Sequence, residues 1–413
     1  MKHDVIIIGA GLSGLSAALH LQNQGKKVLI LESSDSAGGR VKTDLYEGFR
    51  LDRGFQVLLT AYPEAKALLN YTDLKLKKML PGASILYDGG IMEIADPFRR
   101  PKALLPTLLA PVGSLKDKIN TFLLKVKLQH TSIEQIFSQL EKNSYEKILD
   151  YGFSPKMIEL FYAPFLAGIY LENNLNTSSR MFDFVMKMFS DGDVAVPALG
   201  MQEIPKQLVS RLPNDAIQYH KTAVDIDGNA VKLEDGTILE AKQILIATHA
   251  NDFSNRFYSK QKNEKQQVTN VYFEAAGAPT KKSIVVLNAS IAKKWVNNLT
   301  VLSNVSEDYA PEGKVLISIS CNGILTEDDN TIAHNMKLEL LPWYGEQVNR
   351  WKLLKTYRIH YALPNQNTVQ NDINLLDLKL SDTLFICGDH LLNGSINAAF
   401  KSGRLVAEAM NQY

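Results

Sequence analysis

Cysteine is nearly absent from this sequence: Cys321 and Cys387 are the two in 413 residues. Neither stands in a metal-ligand spacing, and two thiols this far apart build no disulfide framework. Both are expected to be reduced and buried in a cytoplasmic protein, and no metal site is expected. An excess of one charge is lacking too. Lys+Arg total 45 against Asp+Glu 44, a net charge of +1, so the electrostatic footprint of a nucleic-acid or polyanion partner is missing. No run approaches about eighteen uninterrupted apolar residues, and no transmembrane helix is expected. The opening MKHDVIIIGAGLSG breaks into Gly-x-Gly after a short apolar run. It has no basic n-region or small-residue cleavage site, so a signal peptide is not expected. Repeats and low-complexity tracts are lacking. So is any Ser-His-Asp, Cys-His or paired-carboxylate arrangement that would carry nucleophilic or acid–base chemistry.

What is present begins at once. Asp4–Ile8 is a short β-branched run, as in a strand buried on both faces of a parallel sheet. Gly9, Gly11 and Gly14 follow as GAGLSG, enclosing Leu12 and Ser13. Leu15–Gln24 reads as a helix capped by Gly25, and Lys27–Leu31 as a second strand ending at Glu32. Strand, glycine turn, helix, strand and acid in this order form a dinucleotide-binding unit. The glycines permit a tight turn, close approach to a pyrophosphate and close helix packing. The helix start offers unpaired N–H groups to phosphates. Glu32 is placed to accept from ribose hydroxyls, with Ser33 beside it, and an acid there disfavours a 2′-phosphate.

A second glycine pair, Gly38-Gly39, precedes Arg40, whose guanidinium suits a phosphate. Then comes F-x-L-D-x-G-x-Q, Phe49–Gln56, which includes Asp52, Gly54 and Phe55. Near the other end, the apolar strand Thr383–Cys387 leads into Gly388-Asp389, a polar turn with Gly394, and a helix from about Ser395 to Met410. Together GAGLSGLSAALHL, the acid at the second strand end, AGGRVKT and F-x-L-D-x-G-x-Q resemble the flavin-containing amine oxidase superfamily. That group includes monoamine and polyamine oxidases, protoporphyrinogen oxidases and phytoene-type desaturases.

The resemblance implies FAD as the cofactor. At the matching positions, Gly9, Gly11, Leu12, Ser13, Gly14, Glu32 and Ser33 would contact the adenine nucleotide. Gly38, Gly39 and Arg40 form the second glycine motif, and Gly54, Phe55 and Gln56 pass near the flavin. Val224 falls where the family's backbone meets the adenine end. Gly388 and Asp389 correspond to the ribityl–pyrophosphate region, and N–H groups at Gly394, Ser395 and Ile396 to the flavin edge. A helix start there would stabilise the negative charge of a reduced ring. His390, Gln56 and Ser395, with Asn393, are the candidates beside the ring, His390 as a proton acceptor. His249, ending the apolar run Gln243–His249, suits a strand end more than a catalyst.

The resemblance also implies an α/β fold: a Rossmann-like FAD-binding domain with a mixed-sheet plus helical substrate domain. The FAD-binding domain would comprise residues 1–75, 195–250 and 375–413. The substrate domain would comprise 76–194 and 251–374, helical around 97–190. Within it, Ala83–Asp96 reads as a hairpin turning at Gly89-Gly90. Four strand-like runs, VTNVYFEA, KSIVVLN, LTVLSNV and KVLISISC, lie within about Val268–Cys321, and Thr326–Leu341 reads as a helix. Residues 98–128 mix leucines with Arg99, Arg100, Lys102, Lys116, Lys118, Lys125 and Lys127. That pattern suits either a core-packed helix pair with a basic face or peripheral contact with an anionic membrane.

Family amine oxidases carry an aromatic-cage tyrosine where Ser395 stands here, and many carry a cysteine in the closing motif, which this chain lacks. Non-covalent FAD is therefore expected. Dehydrogenation of a small hydrophobic, unsaturated or cyclic substrate, as in desaturases or porphyrinogen oxidation, is the expected reaction. Amine oxidation, flavin binding without turnover, and isomerisation on reduced flavin are the alternatives.

Overall fold

The computed structural model describes residues 3–258 and 264–412. Residues 1–2, 259–263 and 413, which fall inside the expected FAD-binding and substrate segments, lie outside the described residues.

Two seven-stranded sheets organise the chain. The first draws its parallel strands from three distant stretches. His3–Ile8 lies between Val28–Leu31 and Ile238–Ile246, and Leu384–Ile386 joins the far side of Ile238–Ile246. The short strand Ile217–Gln218 closes the other edge. Their β-branched runs are buried because helices cover the faces. One long strand does two jobs. Residues 241–246 pair with His3–Ile8, while 238–240 pair antiparallel with Ala230–Leu233. The run expected at 243–249 is thus part of a longer strand, which stops at Ile246, before His249.

The first helix runs Leu12–Asn23, three residues earlier than its apolar spacing suggests, because Gly11 serves as its N-cap. The closing helix, Ile396–Gln412, packs against it. Gly403 makes that contact close: a Cβ there would lie 2.4 Å from the Ser13 carbonyl oxygen. The Ser16 hydroxyl donates to the Phe400 carbonyl across the same seam.

The second sheet runs in the order Lys352–Pro364, Lys265–Ala275, Val315–Asn322, Asn298–Val301, Val285–Asn288, Gly82–Tyr87, Gly90–Ala95. Its hairpin turns at Asp88-Gly89, one residue earlier than expected. LTVLSNV is only half a strand: the chain coils into a helical turn at Leu302–Val305. The Ser303 hydroxyl there accepts from the Leu316 N–H. The helix of the 326–341 stretch covers Asp329–Tyr344. Helices fill much of 104–191, among them Leu115–Gln129, Ala163–Tyr170 and Ser179–Asp191.

Asp117 holds the entry to Leu115–Gln129. Its carboxylate accepts from the Ser114 N–H and hydroxyl and from the Ser154 N–H and hydroxyl. Among the described residues, no helix is long and apolar enough to cross a membrane.

Candidate functional site

A cavity of about 1140 Å³ runs from the glycine turns to the face of the second sheet and into the helical segment. Single small-molecule pockets span roughly 300–1,000 Å³, so this one has room for a cofactor and a substrate together.

The nucleotide end is built by the first sheet. Gly9 and Gly11 leave the strand His3–Ile8, and Gly11 pairs with Gly38 in an isolated parallel bridge. The two glycine turns therefore lie side by side. Two of these glycines do different work. A Cβ on Gly14 would sit 2.2 Å from the Gly9 carbonyl oxygen, so the fold itself requires glycine there. A Cβ on Gly11 would meet nothing within 4 Å, and its φ of −68° suits any residue. The open space beside Gly11 is cavity. Its bare backbone serves a ligand rather than the protein.

Glu32 is buried beneath this turn. One of its carboxylate oxygens accepts from the Ala10 N–H at 2.8 Å and the other from the Ser34 N–H at 2.9 Å. Each oxygen retains a lone pair, and Glu32 lines the cavity with Ser33.

Arg40 joins the two ends of the chain. Its guanidinium pairs with Asp389 at 2.6 Å, donates to the Ala362 carbonyl, and lies 5.3 Å from the Tyr361 ring centre. His249 packs against the same ring, with ring centres 4.7 Å apart. Burial, reinforced by Arg40, lowers the His249 pKa. Burial raises that of Tyr361 to about 12, and Asp389 adds to it. This patch is electrically self-contained.

Gly54, Phe55 and Gln56 line the cavity as expected. The Gln56 amide donates to the carbonyls of Arg40 and Arg53, which aims its oxygen elsewhere; that oxygen is buried without a partner. The Thr248 hydroxyl, also on the wall, is buried and unpartnered. Both are ready for a ligand's polar atoms.

At the closing turn, Gly388, Asp389, Gly394, Ser395 and Ile396 line the cavity. The Gly394 N–H is already taken by the Gln366 side chain at 2.9 Å, and the Ser395 N–H by the Asn393 carbonyl. The Ser395 hydroxyl caps the helix by accepting from the Ala398 N–H, and donates to the Asn393 side chain. The first-turn N–H groups of Ile396 and Asn397 are ones the helix itself cannot use.

The structure does not bring Gly14, Val224, His390 or Asn393 to the wall. Gly14 is packed behind the turn. Val224 sits at the irregular register point of the Ala223–Asp227 strand, where its carbonyl accepts from Arg256. His390 is turned behind Gly388: a Cβ on that glycine would strike the imidazole at 2.2 Å. Burial drives the His390 pKa down to about 4, so the ring is neutral near pH 7 and stands off the cavity.

The sequence reading missed the wall supplied by the edge strand Lys352–Pro364. Lys355, Tyr357 and Ile359 alternate onto the cavity face, a period-two signal present in WKLLKTYRIHYALP but not read for its sidedness. The helical wall contributes Phe161, Phe165, Ile169 and Phe189 among others.

The parts fit a flavin dinucleotide: two adjacent glycine turns, a bare Gly11, a ribose-side acid, orphaned acceptors, and a helix start with unused donors. Comparison with known proteins agrees. Residues 12–411 match the profile of the family described as flavin containing amine oxidoreductase. The chain is 28% identical over 249 residues to polyamine oxidase 5 of Oryza sativa subsp. japonica, covering 57% of this chain and 50% of that protein. It is 48% identical over 54 residues to phytoene dehydrogenase of Streptomyces griseus, covering 13% of this chain and 11% of that one. The chain thus spans half or less of the curated relatives it matches here. A solved structure of putrescine oxidase bound to putrescine superposes with a TM-score of 0.69 at 14% identity, covering 100% of both chains. That likeness concerns the fold.

Proposed function

The chain belongs to the flavin containing amine oxidoreductase family, and from that premise we propose that it is an FAD-dependent oxidoreductase that dehydrogenates a small apolar substrate, unsaturated or cyclic. When bound, the flavin supplies the two-electron acceptor. The chain's own residues hold and orient. Gly9, Gly11, Gly38 and Gly39 would present backbone to the pyrophosphate, Glu32 would receive the ribose, and the helix start at Ile396 would offer its N–H donors to the ring. The division into an FAD-binding unit and a substrate unit, each discontinuous in sequence, belongs to the same proposal.

The observation that carries the substrate class is the cavity wall beyond the nucleotide turns. Leu, Ile, Val, Met and Phe side chains make up much of it, and every carboxylate lining the cavity is already engaged. Asp389 is paired with Arg40, Asp44 with Arg53 and the Tyr357 hydroxyl, Asp96 with Lys125, and Glu32 with backbone N–H groups. A polyamine is a polycation, and burying its charges requires unspent carboxylates. This disfavours amine oxidation despite the polyamine oxidase relative. The phytoene dehydrogenase relative suits the apolar wall. Catalysis would rest on alignment in the pocket.

The cofactor is held non-covalently in this reading. Cys387 is fully buried at a strand end, with its thiol pKa pushed far up by burial, and Cys321 is pushed up to about 11. Neither reaches the cavity.

Residues 98–128 form the cavity mouth, and we propose that they rest on an anionic bilayer from which the substrate enters. Phe98, Leu104, Leu108 and Phe122 line the cavity and are exposed at the same time. Lys102, Lys116 and Lys127 rim this face in the open, while Asp117, the segment's one acid, is buried in its capping bonds.

The deciding experiment is anaerobic. The purified protein is expected to show flavin absorption that acid precipitation releases as FAD. That absorption should bleach on adding a polyene or porphyrinogen and not on adding spermidine. Bleaching by spermidine alone would replace this reading with amine oxidation. Bound flavin that no substrate class reduces would point to a binding role without turnover.

A further inference from the structure

One row of side chains crosses the second sheet beneath the cavity. Tyr357 stands opposite Asn270, Asn270 opposite Ser320, Ser320 opposite Asn298, and Asn298 opposite Leu287. Directly paired residues project from the same face of a sheet. Tyr357, Ser320, Asn298 and Leu287 accordingly all line the cavity.

The polar groups of the row are engaged one after another until the last. The Tyr357 hydroxyl donates to Asp44 at 2.7 Å. The Ser320 hydroxyl donates to the Asn270 side-chain oxygen at 2.9 Å. Asn298 is 4% exposed, and no hydrogen bond to its carboxamide is found among the described residues; the adjacent Asn297 has both side-chain polar atoms buried without a partner. Space is kept for it by Gly168 on the helix Ala163–Tyr170: a Cβ there would lie 2.5 Å from the Asn298 Nδ2. The Asn298 side chain lines the cavity, where the polar group of a ligand would complete its hydrogen bonds.

Asn298 also stands at the end away from the nucleotide. Arg40 reaches the Ala362 carbonyl on the edge strand, and Asn298 lies three strands further in, about 14 Å at the usual strand spacing.

We propose that Asn298 is a specificity residue that binds a neutral hydroxyl or carbonyl at the far end of an otherwise apolar substrate. This rests on the apolar-substrate reading above and deepens it. A carboxamide both donates and accepts, and no charged residue lies in its row, so the recognised group is uncharged. An apolar ligand without such a group would strip water from Asn298 and return nothing. Sites of this kind discriminate strongly against analogues that lack the polar group.

The test compares farnesol with farnesene, of equal carbon skeleton, by equilibrium binding to the FAD-loaded protein. Farnesol is expected to bind at least about tenfold more tightly. Asn298→Leu should bring the ratio close to one while leaving farnesene affinity the same or better. Gly168→Ala, which suits a helix interior and pushes a methyl group onto the carboxamide, should lower the ratio in the same direction. It keeps the test available if Asn298→Leu folds poorly. Equal affinities in the native protein, or a ratio unchanged in both variants, would overturn the assignment. Flavin reduction is not the readout, so that result leaves the oxidoreductase reading standing. If neither probe binds, both readings are overturned.

Discussion

Gly11 and Gly14 stand three residues apart in one motif, yet physics separates them. Gly14 is demanded by the Gly9 carbonyl that a side chain would strike, whereas Gly11 faces open cavity with an ordinary backbone conformation. Glycine without a steric or dihedral reason is unfavourable in the unfolded chain's entropy, so its reason is a ligand. Gly11→Val is therefore expected to fold, with the melting temperature of the FAD-free protein within a few degrees of the native one. Its FAD content should fall at least about tenfold. Released flavin after acid precipitation, beside a thermal melt of the apo-protein, measures both. Normal FAD content in this variant would remove the close-approach argument. The same scale explains why His390 misled. Its place after Gly388-Asp389 is a site position in the sequence, but the positive charge it would carry is unwelcome where burial and the neighbouring Arg40 both lower its pKa. Sequence gives adjacency in the chain, and the turn at Gly388 decides which way the ring faces.

Elements were legible where one face meets one environment. The buried strands at Asp4–Ile8 and Thr383–Cys387 and the helices beside them follow from apolar runs and glycine punctuation. The cavity face of the strand Lys352–Pro364 was not legible. Strand alternation says that two faces differ, while only the tertiary arrangement says which one is wet. Asn298 was illegible for a related reason: around LTVLSNV it is one asparagine among several, and its meaning arises from the row formed with four other strands. The short helix Leu104–Leu109 is the clearest departure from amphipathic logic, since none of its residues is buried. Leu105 is 64% and Leu109 is 74% exposed, and neither lines the cavity. Clustered exposed leucines beside a cavity mouth mark an interaction surface. The native protein is expected to sediment with vesicles containing phosphatidylserine, and less with phosphatidylcholine vesicles or at high salt. Leu105→Asp/Leu109→Asp should lose about 2 kcal/mol or more of that binding, an order-of-magnitude figure from two buried leucines, without altering flavin content. Sedimentation unchanged by the double substitution would place the lipid contact elsewhere or nowhere.

The molecule as a whole is held together at Asp52, where the glycine-turn region meets the second sheet's side of the chain. Its carboxylate accepts from the Thr43 hydroxyl at 2.5 Å, the Met201 N–H at 3.0 Å and the Tyr309 hydroxyl at 2.8 Å, while its backbone carbonyl accepts from the Tyr272 hydroxyl. Four segments distant in sequence thus converge on one residue that is 1% exposed. No cation joins them, and burial raises the carboxyl pKa to about 6 against its three stabilising hydrogen bonds. In the unfolded chain the same group titrates near 3.8. Between those values the folded protein keeps a proton that the unfolded chain has released, so stability falls as pH rises through the window. Below it both states are protonated. Above about pH 6 the full cost of a buried charge remains, on the order of 3 kcal/mol. Asp52→Asn keeps the shape and two of the acceptor bonds, and Tyr309 can turn its oxygen toward the new amide. The variant should melt a few degrees above the native protein at pH 7.5, with FAD saturating in both. That difference should shrink steadily from pH 6 to pH 4. Other carboxylates cancel in the comparison, because only position 52 differs. A difference that stays constant across the range would mean that Asp52 is ionised in the folded protein throughout it, as in the unfolded chain. The junction would then depend on its hydrogen bonds alone.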